Sequence, residues 1–167
     1  MYAFRFCPDC GARLPEPEPA EHVLSQTCET CKAIHWRNAK PCAGALVVSD
    51  GRVLLGRRAV DPAKGAWDIP GGFLEEGEEA LDGLRRELRE ETGLEVEPVE
   101  WLGAYVDPYD DHYVLGLSWL VRGEGEPRAD DDVAELAWFG PDELPVEMAF
   151  ATQLEVLALW AARHRKG

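Results

Sequence analysis

Apolar residues recur in two rhythms along the chain, and the rhythms predict its elements. Between residues 79 and 91, Leu81, Leu84 and Leu88 return at helical spacing among strong helix formers with no proline, and Gly93 stands where a glycine stop belongs. A second helix is expected near the C-terminus, with Leu154, Leu157, Ala158 and Ala161 as its buried face and Arg163, Arg165 and Lys166 at the end the helix dipole favours. Strands are expected at residues 43–48 and 52–57, joined by an Asp50-Gly51 turn, and at 67–69, 95–106, 113–122 and 135–139. Residues 61–65, Pro70-Gly71-Gly72 and a Pro/Asp/Tyr stretch after residue 106 read as loops, and 141–144 as a turn. Strands alternating with two helices predict an α/β or α+β domain.

The first helix carries more than a core stripe. At about 100° per residue, Glu87, Glu90 and Glu91 fall in one wedge beside the leucines, while Arg85 and Arg89 project to the opposite side. Arg86, four residues before Glu90, is the one cation placed to neutralise part of the trio. Three carboxylates at a helix C-terminus repel one another and also meet the negative end of the dipole, which costs each exposed anion roughly 0.3–1 kcal/mol. A cation from outside is therefore expected, and clustered oxygen donors suit a hard divalent ion such as magnesium or manganese. Ala80 and Gly83, earlier on the same wedge, leave room for a ligand to approach the helix backbone. Gly71 and Gly72 would let backbone approach a phosphate closely.

The pattern G-x5-E-x7-R-E-U-x-E-E-x-G-U, with U a bulky aliphatic, is matched by Gly72, Glu78, Arg86, Glu87, Leu88, Glu90, Glu91, Gly93 and Leu94. In this the chain resembles the Nudix hydrolases. The resemblance implies an α/β/α sandwich around a mixed sheet and metal-dependent attack of water on a diphosphate that links a nucleoside to another group. It implies Glu87, Glu90 and Glu91 as magnesium ligands, Arg86 as the residue that orients them, and Glu78, one of the trio or an acid from a later loop as acceptor of the water's proton. The segment from Asp132 to Phe139 is similar to an E-x-x-E-[aliphatic]-x-W-F stretch of many relatives, with aspartate in place of the first glutamate.

Cysteines add a second metal site. Cys7-x2-Cys10 and, 17 residues on, Cys28-x2-Cys31 have the spacing of a four-thiolate zinc ribbon, closed and structural because four thiolates fill a tetrahedral ion. Gly11 permits a tight knuckle after the second ligand. Cys42 reads as a small buried hydrophobe. Residues 1–40 are thus expected to form a zinc ribbon, with a stiff loop at residues 15–19, and 41–167 the Nudix domain, the ribbon acting as a packing or dimerisation element.

Charge then narrows the partners. Residues 1–41 balance five basic groups against five acidic ones, so the remainder carries the whole net charge of −15, the wrong sign for a nucleic-acid backbone. A nucleotide-derived small molecule is the expected partner. The first residues lack a basic and then apolar leader, and no apolar run reaches membrane-spanning length, so no membrane and a cytoplasmic location are expected.

Substrate contacts are expected from Gly71, Gly72, Phe73, Arg57, Tyr105 and Asp132, with Tyr109, Tyr113 and Arg58 as further possibilities. The whole layout, ribbon, hairpin, R-R-A-x5-G-x-W-x-I-P-G-G and box, is similar to zinc-ribbon Nudix diphosphatases of ADP-ribose or FAD. The S-Q-P-W-P-F-P-x-S signature of the related NADH diphosphatases is absent, which places NADH and NAD-capped RNA behind those two, alongside nucleoside triphosphates. A nucleotide sensor on the same fold would be expected to have damaged box carboxylates, and all are present. A zinc-ribbon nucleic-acid adaptor is opposed by the charge.

Overall fold

The computed structural model describes residues 4–15 and 25–164, so residues 16–19 of the expected stiff loop, and Arg165 and Lys166, lie outside it. Strands β1 (Ser25–Thr27) and β2 (Ile34–Trp36) form a small antiparallel sheet in the cysteine-bearing N-terminal part. A seven-stranded mixed sheet follows. It comprises β3 (Lys40–Ser49), β4 (Arg52–Arg58), β5 (Trp67–Asp68), β6 (Gly71–Phe73), β7 (Glu95–Tyr109), β8 (His112–Glu124) and β9 (Val133–Phe139). Its order is β5-β4-β3-β8-β7, with β6 also on β3 and β9 on β4. Only β3 and β8 run parallel, Lys40 beside Val114 through Val47 beside Val121.

Period-two alternation explains why helices cover both faces of this sheet. Ala43, Ala45 and Val47 of β3 meet Leu84 and Leu88 of α1 (Ala80–Thr92), while Leu46 turns to Val156, Leu157, Trp160 and Ala161 of α2 (Ala151–His164). The result is the expected α/β/α sandwich. Gly93, left-handed at φ 70°, caps α1 by donating its N–H to the Arg89 carbonyl.

Several expectations need correction. Leu81 is 37% exposed rather than core, and Leu74, beside Gly83, packs against the core formed by Leu84 and Leu88. In α2, Leu154 and Ala158 face solvent, and Val156 and Trp160 are buried with Leu157 and Ala161. The run from Leu154 to Ala161 is apolar at all but one position, so its rhythm leaves the helix phase undefined. Polar ties at the helix start set that phase instead, Thr152 to Asp107 and Gln153 to Asp68.

The expected Pro/Asp/Tyr loop is largely strand. Pairing runs through Pro108–Tyr113 to Tyr109–His112 and leaves a two-residue turn, Asp110-Asp111. Pro108 is tolerated because β7 is an edge strand, where a missing N–H forfeits no ladder bond. Likewise Gly71 and Gly72 pair with β3 opposite Gly44 and Ala43, not as a free loop.

Candidate active site

One cavity of about 340 Å³ runs along the β3/β8 floor. One part of its lining, the acidic end, carries five carboxylates; the other, the aromatic end, carries four rings and the carboxylates of Asp68 and Asp107. The acidic end is built by α1 and the turn before β9, which contribute Glu87, Glu90, Glu91, Asp131 and Asp132. The aromatic end is built by Phe73, Tyr105, Tyr109 and Phe150.

Arg86 organises the acidic end. Its Nε and Nη2 donate to both oxygens of Glu78 at 2.9 Å, Nη1 donates to Glu87 at 2.8 Å and Glu90 at 3.1 Å, and Nη2 also donates to the Phe73 carbonyl at 3.0 Å. This fork tethers the helix to the segment before it. Glu78, gripped by Arg86 and bonded by the Glu75 N–H, is held far below the usual carboxylate range, at about 2. Glu87 is raised by burial although Arg86 opposes the shift.

The trio is therefore less uncompensated than the sequence implies: Arg86 reaches two of its members. Glu91 is the exception. It is 8% exposed, and its carboxylate accepts a hydrogen bond from the Gly71 N–H at 2.8 Å. Burial, against that N–H and reinforced by Asp68, Glu87 and Asp132, pushes its carboxyl up to about 8.

Two glycines make this packing feasible. Gly71 sits at φ 146°, where a side chain would strike the Ala43 carbonyl, and a Cβ on Gly72 would overlap the Glu87 carboxylate. Gly83 has a different role from the expected one. The space beside it holds Leu74 and Glu78, not room for a ligand.

Of the other expected contacts, Gly71, Gly72, Phe73, Tyr105, Tyr109 and Asp132 line the cavity. Arg57 does not. It pairs with Glu135 at 2.9 Å and lies over the Trp67 ring, because alternation turns it away and brings Arg58 inward. Tyr113, next to cavity-lining Val114, points outward and is 60% exposed. Cys42 is half-buried on the cavity floor rather than in the core, and burial pushes its thiol up to about 11, which keeps it protonated and weakly nucleophilic.

Sequence reasoning named Arg58 but missed the polar group built around it at the aromatic end. Arg58 donates to Asp68 at 2.6 Å, Gln153 bonds the other Asp68 oxygen, and Thr152 bonds Asp107 through its N–H and hydroxyl. Phe150 stacks on Tyr109, with centroids 5.6 Å apart at 18°. Thr152 and Asp107 lie 45 residues apart and Gln153 and Asp68 lie 85 apart, so no local spacing could announce those ties.

Among the described residues, the groups whose metal-ligating atoms all lie within 4.8 Å of one another are Cys7, Cys10, Cys28 and Cys31, and Cys7 with Asp9 and His35. The cysteine knuckles match. Gly11 and Lys32, at φ 72° and 65°, follow the second cysteine of each pair, and their N–H groups donate to the Cys7 and Cys28 carbonyls. The Cys31 N–H, against burial and with the Thr30 N–H, lowers the Cys28 thiol to about 6. Four thiols so placed fit a tetrahedral thiophilic ion. Glu78, Glu87 and Glu90 meet instead around Arg86, with Glu91 held by Gly71, and the hard oxygens and mutual charge of the box glutamates fit a divalent cation in kind.

A family model described as the NUDIX domain matches residues 39–160. A Pseudomonas aeruginosa protein named NAD-capped RNA hydrolase NudC is 32% identical over 142 residues, covering 84% of this chain and 49% of that protein. Its namesake from Vibrio parahaemolyticus is 28% identical over 145 residues, covering 86% and 54%. The chain spans about half the length of the curated relatives it matches. A crystal structure of a NUDIX hydrolase from Nitrosomonas europaea superposes with a TM-score of 0.82 at 26% identity, covering 98% of this chain and 94% of that one.

Proposed function

Since the chain belongs to the NUDIX family, we propose that it is a metal-dependent hydrolase that cleaves the diphosphate of an ADP-ribose-like or FAD-like molecule. The observation that carries this reading is a cavity lined both by the box carboxylates and by stacked rings, which suits a molecule with a diphosphate beside an aromatic base.

Glu87, Glu90 and Glu91 would hold magnesium or manganese, which when bound neutralises the diphosphate and lowers the pKa of a coordinated water. The chain's own groups position that chemistry. Arg86 orients Glu87 and Glu90, and Gly71-Gly72 leaves backbone close to the phosphates. Glu78 is the poorest acceptor for the water's proton, since Arg86 holds it at about 2, and it serves to position Arg86. Phe73, Tyr109 and Phe150 take the base.

We assign zinc to Cys7, Cys10, Cys28 and Cys31 as the structural ion of a ribbon spanning residues 1–40, with the hydrolase domain at 41–167. The name of these relatives favours a second reading, hydrolysis of NADH or of an NAD cap, which the missing S-Q-P-W-P-F-P-x-S segment opposes. Mass-spectrometric screening of ADP-ribose, FAD, NADH, diadenosine polyphosphates and deoxynucleoside triphosphates, with and without magnesium, tests both. Magnesium-dependent cleavage of ADP-ribose or FAD is expected, NADH as the best substrate selects the second reading, and turnover of none removes both.

A further inference from the structure

Lys40 opens β3 on the same face as Cys42 and Gly44, both of which line the cavity floor. Its ammonium lies 5.7 Å from the centroid of Phe73, where a row of rings begins. Phe73 meets Tyr109 at 5.4 Å, Tyr109 stacks on Phe150, and Arg58 lies 5.4 Å from the Phe150 centroid at the inner end. The row thus carries a cation at each end.

The two cations differ. Arg58 is neutralised by Asp68 at 2.6 Å, and Asp107 also lines the cavity. Arg86, at the acidic end, is bound by Glu78, Glu87 and Glu90. Lys40 is exposed, and among the described residues no carboxylate pairs with it, in a chain with 32 acidic residues against 17 basic ones. A phosphate carried by a ligand stacked beside Phe73 would meet in Lys40 a cation that no carboxylate among the described residues neutralises.

We infer that Lys40 forms a subsite for an additional phosphate on the ribose of the base-bearing half of the substrate, as a monoester or as the first phosphodiester of an attached strand. The inference rests on the proposed diphosphatase reading and extends it. A single ammonium–phosphate contact is worth about tenfold in selectivity.

The test compares kcat/KM of the full chain for ADP-ribose, 2′-phospho-ADP-ribose and a short oligonucleotide bearing a 5′ dinucleotide cap. Wild type, Lys40→Ala and Lys40→Glu are measured at two salt concentrations. Wild type should favour a phosphate-bearing substrate about tenfold. Lys40→Ala should erase that ratio and lower the salt slope by about one, and Lys40→Glu should invert it. A gain confined to the monoester assigns the subsite to small molecules, and one confined to the oligonucleotide assigns it to a strand's 5′ end. The same ratio in all three proteins overturns the inference while leaving ADP-ribose cleavage standing. If no substrate is cleaved, the diphosphatase reading falls, and calorimetric affinities for the same ligands decide the subsite: equal affinity with and without the extra phosphate overturns it.

Discussion

The cysteine cluster and the glutamate cluster offer metal ligands in opposite ways. The four sulfurs already converge, drawn from two short knuckles whose turns are closed by their own backbone. The glutamates converge on an arginine, and the group left over, Glu91, is buried against one N–H with like charges around it. A closed soft site of this kind stabilises a small unit that lacks a large core. An open hard site leaves charge unbalanced where a ligand must enter, which is the condition for chemistry.

The largest effect should separate the two regions by stability. Cys28→Ser should release zinc and unfold the N-terminal part, since structural zinc contributes on the order of 10 kcal/mol in such modules. Metal analysis and a melting curve would check this, and the main sheet should melt close to its wild-type temperature.

Glu90→Gln should do the reverse. Glu90 is half exposed and packs no core, so turnover should fall roughly 10³-fold, about 4 kcal/mol, with zinc content and melting unchanged. Near-normal rates in this variant would refute the ligand assignment.

Arg86→Lys comes next. One ammonium cannot hold both Glu78 oxygens along with Glu87 and Glu90, so kcat should fall about tenfold to a hundredfold at saturating magnesium.

pH gives a smaller signature. Glu91 has its folded pKa raised from 4.5 to about 8, so the folded state binds the proton more tightly than the unfolded one. With divalent ions other than zinc removed, the Glu91 contribution to stability should therefore be fullest below about 4.5 and decline between there and about 8, by up to about 1.4 kcal/mol per pH unit. Glu78, lowered to about 2, acts in the opposite sense. Its stabilisation is present above its ordinary value and lost as pH falls toward 2. Denaturant melts of Glu91→Gln at pH 5 and pH 8 should lack most of the decline seen in wild type.

The smallest expected effect is at the rings. Phe150→Ala should raise KM several-fold with kcat nearly unchanged, because base stacking acts alike in ground and transition states.

What the sequence revealed follows from range. The α1 helix, the Asp50-Gly51 hairpin and the cysteine knuckles depend on neighbours within a few residues, and their outlines were legible. The phase of α2 was not, because its apolar run offers more than one face and Asp107 and Asp68 choose among them from 45 and 85 residues away. Arg57 and Arg58 illustrate the same limit: alternation says that one points inward, and only the packing of β5 and β9 on β4 decides which. The reach of Arg86 across the loop to Glu78 was likewise invisible to helical geometry.

The central claim is that the box carboxylates hold a divalent cation at the diphosphate. An electron paramagnetic resonance titration of manganese into zinc-loaded protein tests it most directly. Wild type should bind manganese, and the Glu90→Gln, Glu91→Gln double variant should bind it at least tenfold more weakly at full zinc content. Equal binding by the two proteins would contradict it.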